Sequence, residues 1–155
     1  MFLLQGKGKI NLGKNVLLSS GRKSNPLGGE TKISIIVAKG AKLVIGNNCG
    51  ISNSVIFCTN SIIIEDNVLI GNGCKIYDTD FHPIHPIDRI QNKKPISKPI
   101  FIKKGAFIGA HSIILKGVTI GENAVIGAGS VVTKNIPDNE IWAGNPAKFI
   151  RKIYE

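Results

Sequence analysis

The sequence predicts an all-β protein: a left-handed parallel β-helix with one loop extruded at about 81–98 and a short C-terminal cap. Two observations carry this. First, Ile102, Ile108, Ile114, Ile120, Ile126 and Val132 lie six apart, although Val, Ile, Leu and Phe fill only about a third of the chain. Second, Gly and Asn recur between such apolar positions, as in Gly46-Asn47-Asn48, Asp66-Asn67, Gly71-Asn72-Gly73, Gly121-Glu122-Asn123 and Gly127-Ala128-Gly129. These residues tolerate the positive φ of a sharp corner. A period of six fits neither a helix stripe nor an unbroken strand alternation. It fits short strands between tight corners, three hexads to a triangular coil, with coils stacked at the ~4.8 Å strand spacing. The hexad period points to the left hand, although general crossover rules favour the right.

Along the chain, a weak run starts at Ile10 and Val16, and residues 1–43 otherwise show no clear register. A first clear run places Ile45, Ile51 and Phe57 inward, with Cys49, Val55 and Ser61 at the small inward positions. A second run has Ile64, Ile70 and Ile76 with Val68 and Cys74, and breaks at Asp80. Cys49 and Cys74 are therefore expected to be buried, inert thiols, and Cys58, one past Phe57, partly exposed. From Ile76 to Ile102 the gap is 26 residues, four hexads plus two. Its prolines remove strand donors and its charges cannot enter a core. Long ordered loops on rigid scaffolds often carry function, and this one holds His82 and His85. The third run carries Ala106, Ser112, Val118, Ala124 and Ser130 as its small positions. Trp142, Pro146 and Phe149 read as a cap over the last coil's open edge.

A length of 155 residues predicts one domain, 1–155. With 43% hydrophobic and 19% charged residues, disorder is excluded. A net charge of +10 asks for an anionic partner. Nucleic acid is not expected: aromatics are 6% of the chain, and the cluster Lys93, Lys94, Lys98, Lys103, Lys104 has no aromatic interleaving. No apolar run approaches the ~18 residues of a membrane span. Met1-Phe2-Leu3-Leu4 is too short for a signal-peptide core, so no membrane insertion is expected. Three cysteines outside CxxC pairs argue against disulfides and point to a reducing cytoplasm.

The segment DTDFHPIHPIDR (78–89), the VVTK of 131–134 and the GNPAKFIRK of 144–152 carry a resemblance. Across roughly residues 44–153 the chain resembles the sugar O-acetyltransferases of the hexapeptide-repeat acyltransferase family, the maltose, galactoside and capsule-sugar enzymes among them. The resemblance implies acetyl-CoA as donor, a sugar hydroxyl as acceptor, and a homotrimer with each active site between two subunits. The family's helical acceptor-binding segment is not seen in residues 1–43. The family's catalytic histidine falls on His82. An imidazole is matched to take a hydroxyl proton and pass it to a leaving thiolate, with no covalent intermediate. Asp80 and Asp78, just upstream, are candidates to fix its tautomer. His85 is a candidate acceptor-lining residue, and so is Asn53. The CoA-contacting positions fall on Ala110, Ala128, Thr133, Lys134, Lys148 and Arg151. The two alanines would offer backbone groups to the pantetheine arm, and the cations would meet the phosphates. Lys148 stands where some relatives carry Arg, and Phe107 where relatives often carry Trp. His111 reads as solvent-facing or as a wall of the thioester cleft. The three histidines are spaced by 3 and 26, unlike the zinc pattern of the β-helical carbonic anhydrases, so no metal is expected. The competing readings are an N-acyltransferase acting on an amino sugar and a non-catalytic β-helical scaffold.

Overall fold

A computed structural model describes residues 3–24, 26 and 31–154. Met1, Phe2, Asn25, residues 27–30 and Glu155 belong to the expected 1–155 domain and lie outside the described residues. The chain winds as a left-handed parallel β-helix of six coils around three sheets. The first coil is β1 Leu3–Gly6, β2 Lys9–Leu12 and β3 Leu17–Ser19. The second is β4 Ser34–Val37, β5 Lys42–Ile45 and β6 Gly50–Ser52. The third is β7 Val55–Cys58, β8 Ser61–Ile64 and β9 Leu69–Ile70. The fourth is β10 Lys75–Tyr77, β11 Ile100–Ile102 and β12 Phe107–Ile108. The fifth is β13 Ile113–Ile114, β14 Thr119–Ile120 and β15 Val125–Ile126. The last holds β16 Val131–Val132, a bridge from Ile136 to Ile120, and β17 Glu140–Ala143. Sheet A collects the first strand of each coil, sheet B the second and sheet C the third. Residues 3–24 and 31–44, where the sequence showed only the weak run at Ile10 and Val16, thus continue the same coil.

Each coil stacks its inward side chains on the next. Ile102 pairs with Ile120, Ile108 with Ile126 and Ile114 with Val132, each 18 residues apart, which is three hexads. The core is a column of isoleucines with valine, alanine and cysteine between them. At the edge between sheets B and C the corners are held by asparagines in the left-handed region: Asn15, Asn48, Asn67, Asn123 and Asn139, at φ of 55–59°. Their amides chain from coil to coil, Asn15 to Asn48 at 3.1 Å and Asn123 to Asn139 at 3.2 Å. Gly105, at φ 71°, replaces asparagine where a Cβ would run into the Asn123 side chain. Beside this ladder, Asp66 Oδ1 accepts from the Asn47 backbone N–H at 2.6 Å. That bond and the Asn47 amide hold the Asp66 carboxyl below its usual range.

Two expectations are corrected. Phe57, Val55 and Ser61 do not face inward; Ile56, Cys58 and Ile62 do, each fully buried. Cys58 is therefore not partly exposed. The cause is a corner one residue short. Ile51 pairs with Ile70 and Ile56 with Ile76, yet Ile56 follows Ile51 by five residues whereas Ile76 follows Ile70 by six. A slip of one flips every following side chain to the other face.

The extruded loop leaves the coil between β10 and β11. Thr79 and Ser97 bridge across its neck, Asp80 N–H donates to Ile96 O at 3.1 Å and Lys98 N–H to Asp78 O at 2.9 Å. Inside it lies a short helix that the prolines had concealed, α1 Pro86–Ile90, with Pro86 at its first turn and Asp88 close behind. Proline is tolerated there because the first-turn N–H has no partner anyway. The cap is a hairpin: β18 Lys148–Lys152 runs antiparallel to β17, and the Trp142 and Phe149 rings meet edge to face at 6.3 Å.

Candidate functional site

The loop is tied to the coil at its base. Asp78 is fully buried, and its carboxylate accepts from the Thr59 N–H (2.7 Å), the Asn60 N–H (2.7 Å) and the Thr59 hydroxyl (2.9 Å). Asp80 takes Lys116 Nζ at 2.5 Å on Oδ1, while its buried Oδ2 has no partner among the described residues. Lys116 was missed in the sequence. No spacing in the sequence announced it: the pair spans 36 residues and forms because β10 and β13 stack with Ile76 opposite Ile114. Phe81, at φ 61°, lays its ring 4.9 Å from Phe57 and 5.0 Å from Tyr77, pinning the chain just before the first histidine.

His82 follows. Its N–H donates to Asp80 O at 2.7 Å, and its exposed ring makes no hydrogen bond to any described residue. Neither Asp78 nor Asp80 bonds to that ring; one fixes the corner beneath the loop and the other reaches across to Lys116. His85 stands at the N-cap position of α1, its side chain making no capping bond, and lines an open pocket of about 460 Å³ with Pro83, Ile84, Pro86, Asp88, Lys94 and Ile96.

The other expected residues lie elsewhere on the coil. Ala110 and Ala128 stack on the edge between sheets C and A, where Gly129 N–H donates to Ala110 O at 2.8 Å. Gly71 and Gly109 permit this: a Cβ on either would come within 2.7 Å and 2.6 Å of the Ala110 and Ala128 backbone nitrogens. His111 shares this edge at φ 61°, exposed, its Nε2 3.5 Å from Asn72 Nδ2. Asn72 is buried, its Oδ1 without a partner among the described residues. Asn53 is also a corner residue here, buried, its Oδ1 accepting from the Gly21 N–H at 2.7 Å. Thr133 and Lys134 are exposed in the last coil. Lys134 Nζ lies 5.4 Å from the Trp142 ring. Lys148 and Arg151 stand exposed on β18, in register with Ala143 and Ile141 of the Trp142 strand. Lys148 and Arg151 thus stand on the hairpin with Lys152, and Lys134 approaches the hairpin at the Trp142 ring. The His82 loop leaves from the A–B edge and the alanine corner from the C–A edge, so one chain does not bring them together.

The three thiols sit in the core. Burial pushes all of them up, Cys58 to about 12, with the nearby Asp78 charge adding to it. Among the described residues no three His, Cys, Asp or Glu side chains group as a metal site. No helix among them is long and apolar enough to cross a membrane.

Residues 99–134 match the family described as bacterial transferase hexapeptide (six repeats). The chain is 44% identical over 115 residues to galactoside O-acetyltransferase of Escherichia coli K12, covering 74% of this chain and 56% of that protein. It spans a little over half the length of the curated relatives it matches first. Among solved structures it resembles a hexapeptide-repeat acetyltransferase from Vibrio cholerae in complex with acetyl coenzyme A. There the TM-score is 0.78 at 29% identity, over 94% of this chain and 72% of that one. It also resembles a maltose O-acetyltransferase from Clostridium difficile, with TM-score 0.65 at 33% identity, over 97% of this chain and 69% of that one.

Proposed function

Because the chain belongs to the hexapeptide-repeat transferases, we propose that it moves an acetyl group from acetyl-CoA to a sugar hydroxyl, directly, with His82 as general base. The observation that carries this reading is His82 itself: an exposed imidazole on a loop locked at its base by Asp78, Asp80 and Phe81. The imidazole takes the hydroxyl proton as the oxygen attacks the thioester carbonyl. When the tetrahedral adduct collapses, the C–S bond breaks and the imidazolium returns the proton to the leaving sulfur. Asp80 serves as a positioning residue through the backbone and Lys116, and His85 lines the acceptor pocket. The Ala110–Ala128 corner offers backbone groups to the pantetheine arm. Thr133, Lys134, Lys148 and Arg151 receive the nucleotide end, the cations as partners of its phosphates.

The site is completed between subunits. His82 and the alanine corner occupy different edges of one chain, which supports a homotrimer in which one chain's loop faces another chain's later coils. The three buried thiols support a reducing cytoplasm as the compartment.

The test is CoA-thiol release from acetyl-CoA by the full chain across a panel of neutral, acidic and amino sugars, with particle mass measured by light scattering. Expected are sugar-dependent release, an alkali-labile ester product, and a particle about three times the 16.6 kDa chain. An alkali-stable amide formed only on amino sugars would replace this with N-acyl transfer. No release together with no CoA affinity would leave a scaffold.

A further inference from the structure

We propose that the edge between sheets A and B in the first two coils is a binding site for an anionic saccharide chain, the part of the acceptor that extends away from His82. This rests on the sugar-acetylating reading above and assigns it a substrate class. Positive charge is not spread evenly: residues 1–64 hold eight Lys and Arg against one acid, Glu30, whereas the remainder holds twelve against nine. Four of the eight converge on one edge. Lys7 and Lys9 flank the turn from β1 to β2, and Lys39 and Lys42 the turn from β4 to β5. None of the four meets a carboxylate among the described residues. Lys9 and Lys42 stand directly opposite each other in the parallel pair β2–β5. Like charges in that position are destabilising, and a local conflict of this kind marks a site kept for binding.

The shape suits an anion. An open cavity of about 420 Å³ is lined by Lys7, Gly8, Lys9, Gly40, Ala41 and Lys42. Its floor is glycine and alanine, and the space above Gly40 is empty within 4 Å, so a ligand reaches down between the ammonium groups. The edge leads to the loop. Lys42 N–H donates to Asn60 O at 3.1 Å, and Asn60 N–H to Asp78 Oδ2 at 2.7 Å. The ~4.8 Å strand spacing places Lys39 and Lys42 two rungs, roughly 10 Å, and Lys7 and Lys9 three rungs, roughly 14 Å, below the root of the His82 loop. A saccharide seated in the His85 pocket continues onto them along this edge. Lys94 adds a further cation to the lining of that pocket.

A carboxylate- or phosphate-bearing saccharide fits better than nucleic acid or a membrane. Residues 3–56 contain no Phe, Trp or Tyr, so the patch has neither stacking platforms for bases nor interfacial aromatic anchors. The CoA phosphates are served by Lys134, Lys148 and Arg151, in the last coil and its hairpin.

The experiment measures binding of the full chain to a fluorescent polygalacturonate oligomer at low and physiological salt. A neutral malto-oligosaccharide of equal length and phosphatidylglycerol-containing vesicles serve as the other probes. Wild type should bind the polygalacturonate, more weakly as salt rises, and ignore the neutral chain. Lys7→Gln/Lys9→Gln/Lys39→Gln/Lys42→Gln should lose about tenfold or more in that affinity. It should melt no lower than wild type, since the Lys9–Lys42 opposition is removed, and should keep its CoA affinity and its thiol release on a small neutral sugar. Equal affinity of the variant and wild type for polygalacturonate overturns the proposal. So does lysine-dependent binding to vesicles in preference to polygalacturonate. Because the binding arms need no turnover, failure of the acetyl-transfer reading shows separately, as absent thiol release on every sugar.

Discussion

Replacing Asp78 by Ala removes the acceptor that joins the loop's root to the coil below. Three donors lose it: the Thr59 and Asn60 N–H groups at 2.7 Å and the Thr59 hydroxyl at 2.9 Å. Hydrogen bonds to a charged group are worth about 1.5–3 kcal/mol each, and a donor left buried without a partner costs about 1–3 kcal/mol. Asn60 is exposed and Thr59 only half-buried, so water recovers part of the loss. The net cost is then about 3–4 kcal/mol. For a chain of this length each kcal/mol moves the melting temperature by about 2–4 °C, so thermal unfolding followed by circular dichroism should fall by roughly 6–16 °C. Asp78→Asn, which keeps one carbonyl acceptor, should lose about half as much. Asp88→Ala is the control. Its pair with Lys93, 2.8 Å long, lies on the exposed loop, where such pairs contribute about 1 kcal/mol or less. A melting temperature for Asp78→Ala within about 2 °C of wild type would refute the reasoning, as would equal losses for Asp78→Ala and Asp88→Ala.

Lys148→Glu or Arg151→Glu should raise the KM for acetyl-CoA with little change in kcat, since a phosphate contact is the same in ground and transition states; an unchanged KM in steady-state kinetics would reject the mapping of the nucleotide end. Cys49, Cys58 and Cys74 should resist a thiol-specific disulfide reagent in the native state at pH 8 and react fully after denaturation, because burial raises all three thiols; rapid native labelling of any one would contradict its place in the core. Asp66 has its carboxyl held down by Asn47, so its contribution is present above the unfolded carboxylate range, near pH ~3.9, and is lost as pH falls through the lowered folded value. The difference in melting temperature between wild type and Asp66→Asn should therefore shrink from about pH 6 to about pH 3, and a constant difference would disprove this assignment.

Much of the coil was legible because a six-residue period leaves few alternatives. Ile102 to Val132 hold one register through five corners, and the structure stacks them 18 apart, as three hexads to a coil require. The period was less visible where strands are longer. In Ile33, Ile35, Val37, Ala41, Leu43 and Ile45 both inward positions of each strand are apolar, so the pattern reads as plain alternation and the early coils passed unassigned. A single six-spaced series also cannot register a corner that is one residue short, which is why Phe57 was read inward and Cys58 outward. The candidate site was legible residue by residue but not as an assembly. The histidines announce themselves through the proline-rich break. Lys116, 36 residues from Asp80 in the chain, becomes its partner only once coils are stacked. Nothing in the linear order separates the edge bearing His82 from the edge bearing Ala110 and Ala128, since that follows from which corner of the triangle each occupies.

His82 bears the central claim, and turnover of His82→Ala measured beside His85→Ala tests it most directly. Both histidines are exposed on one loop, so a general disturbance of the loop would slow both variants alike. As general base, His82 is worth about 10²–10⁴-fold. His82→Ala should lose turnover by that factor, His85→Ala should lose far less, and both should keep the fold, since neither side chain enters the apolar column. Near-normal turnover by His82→Ala with an intact oligomer would contradict that claim.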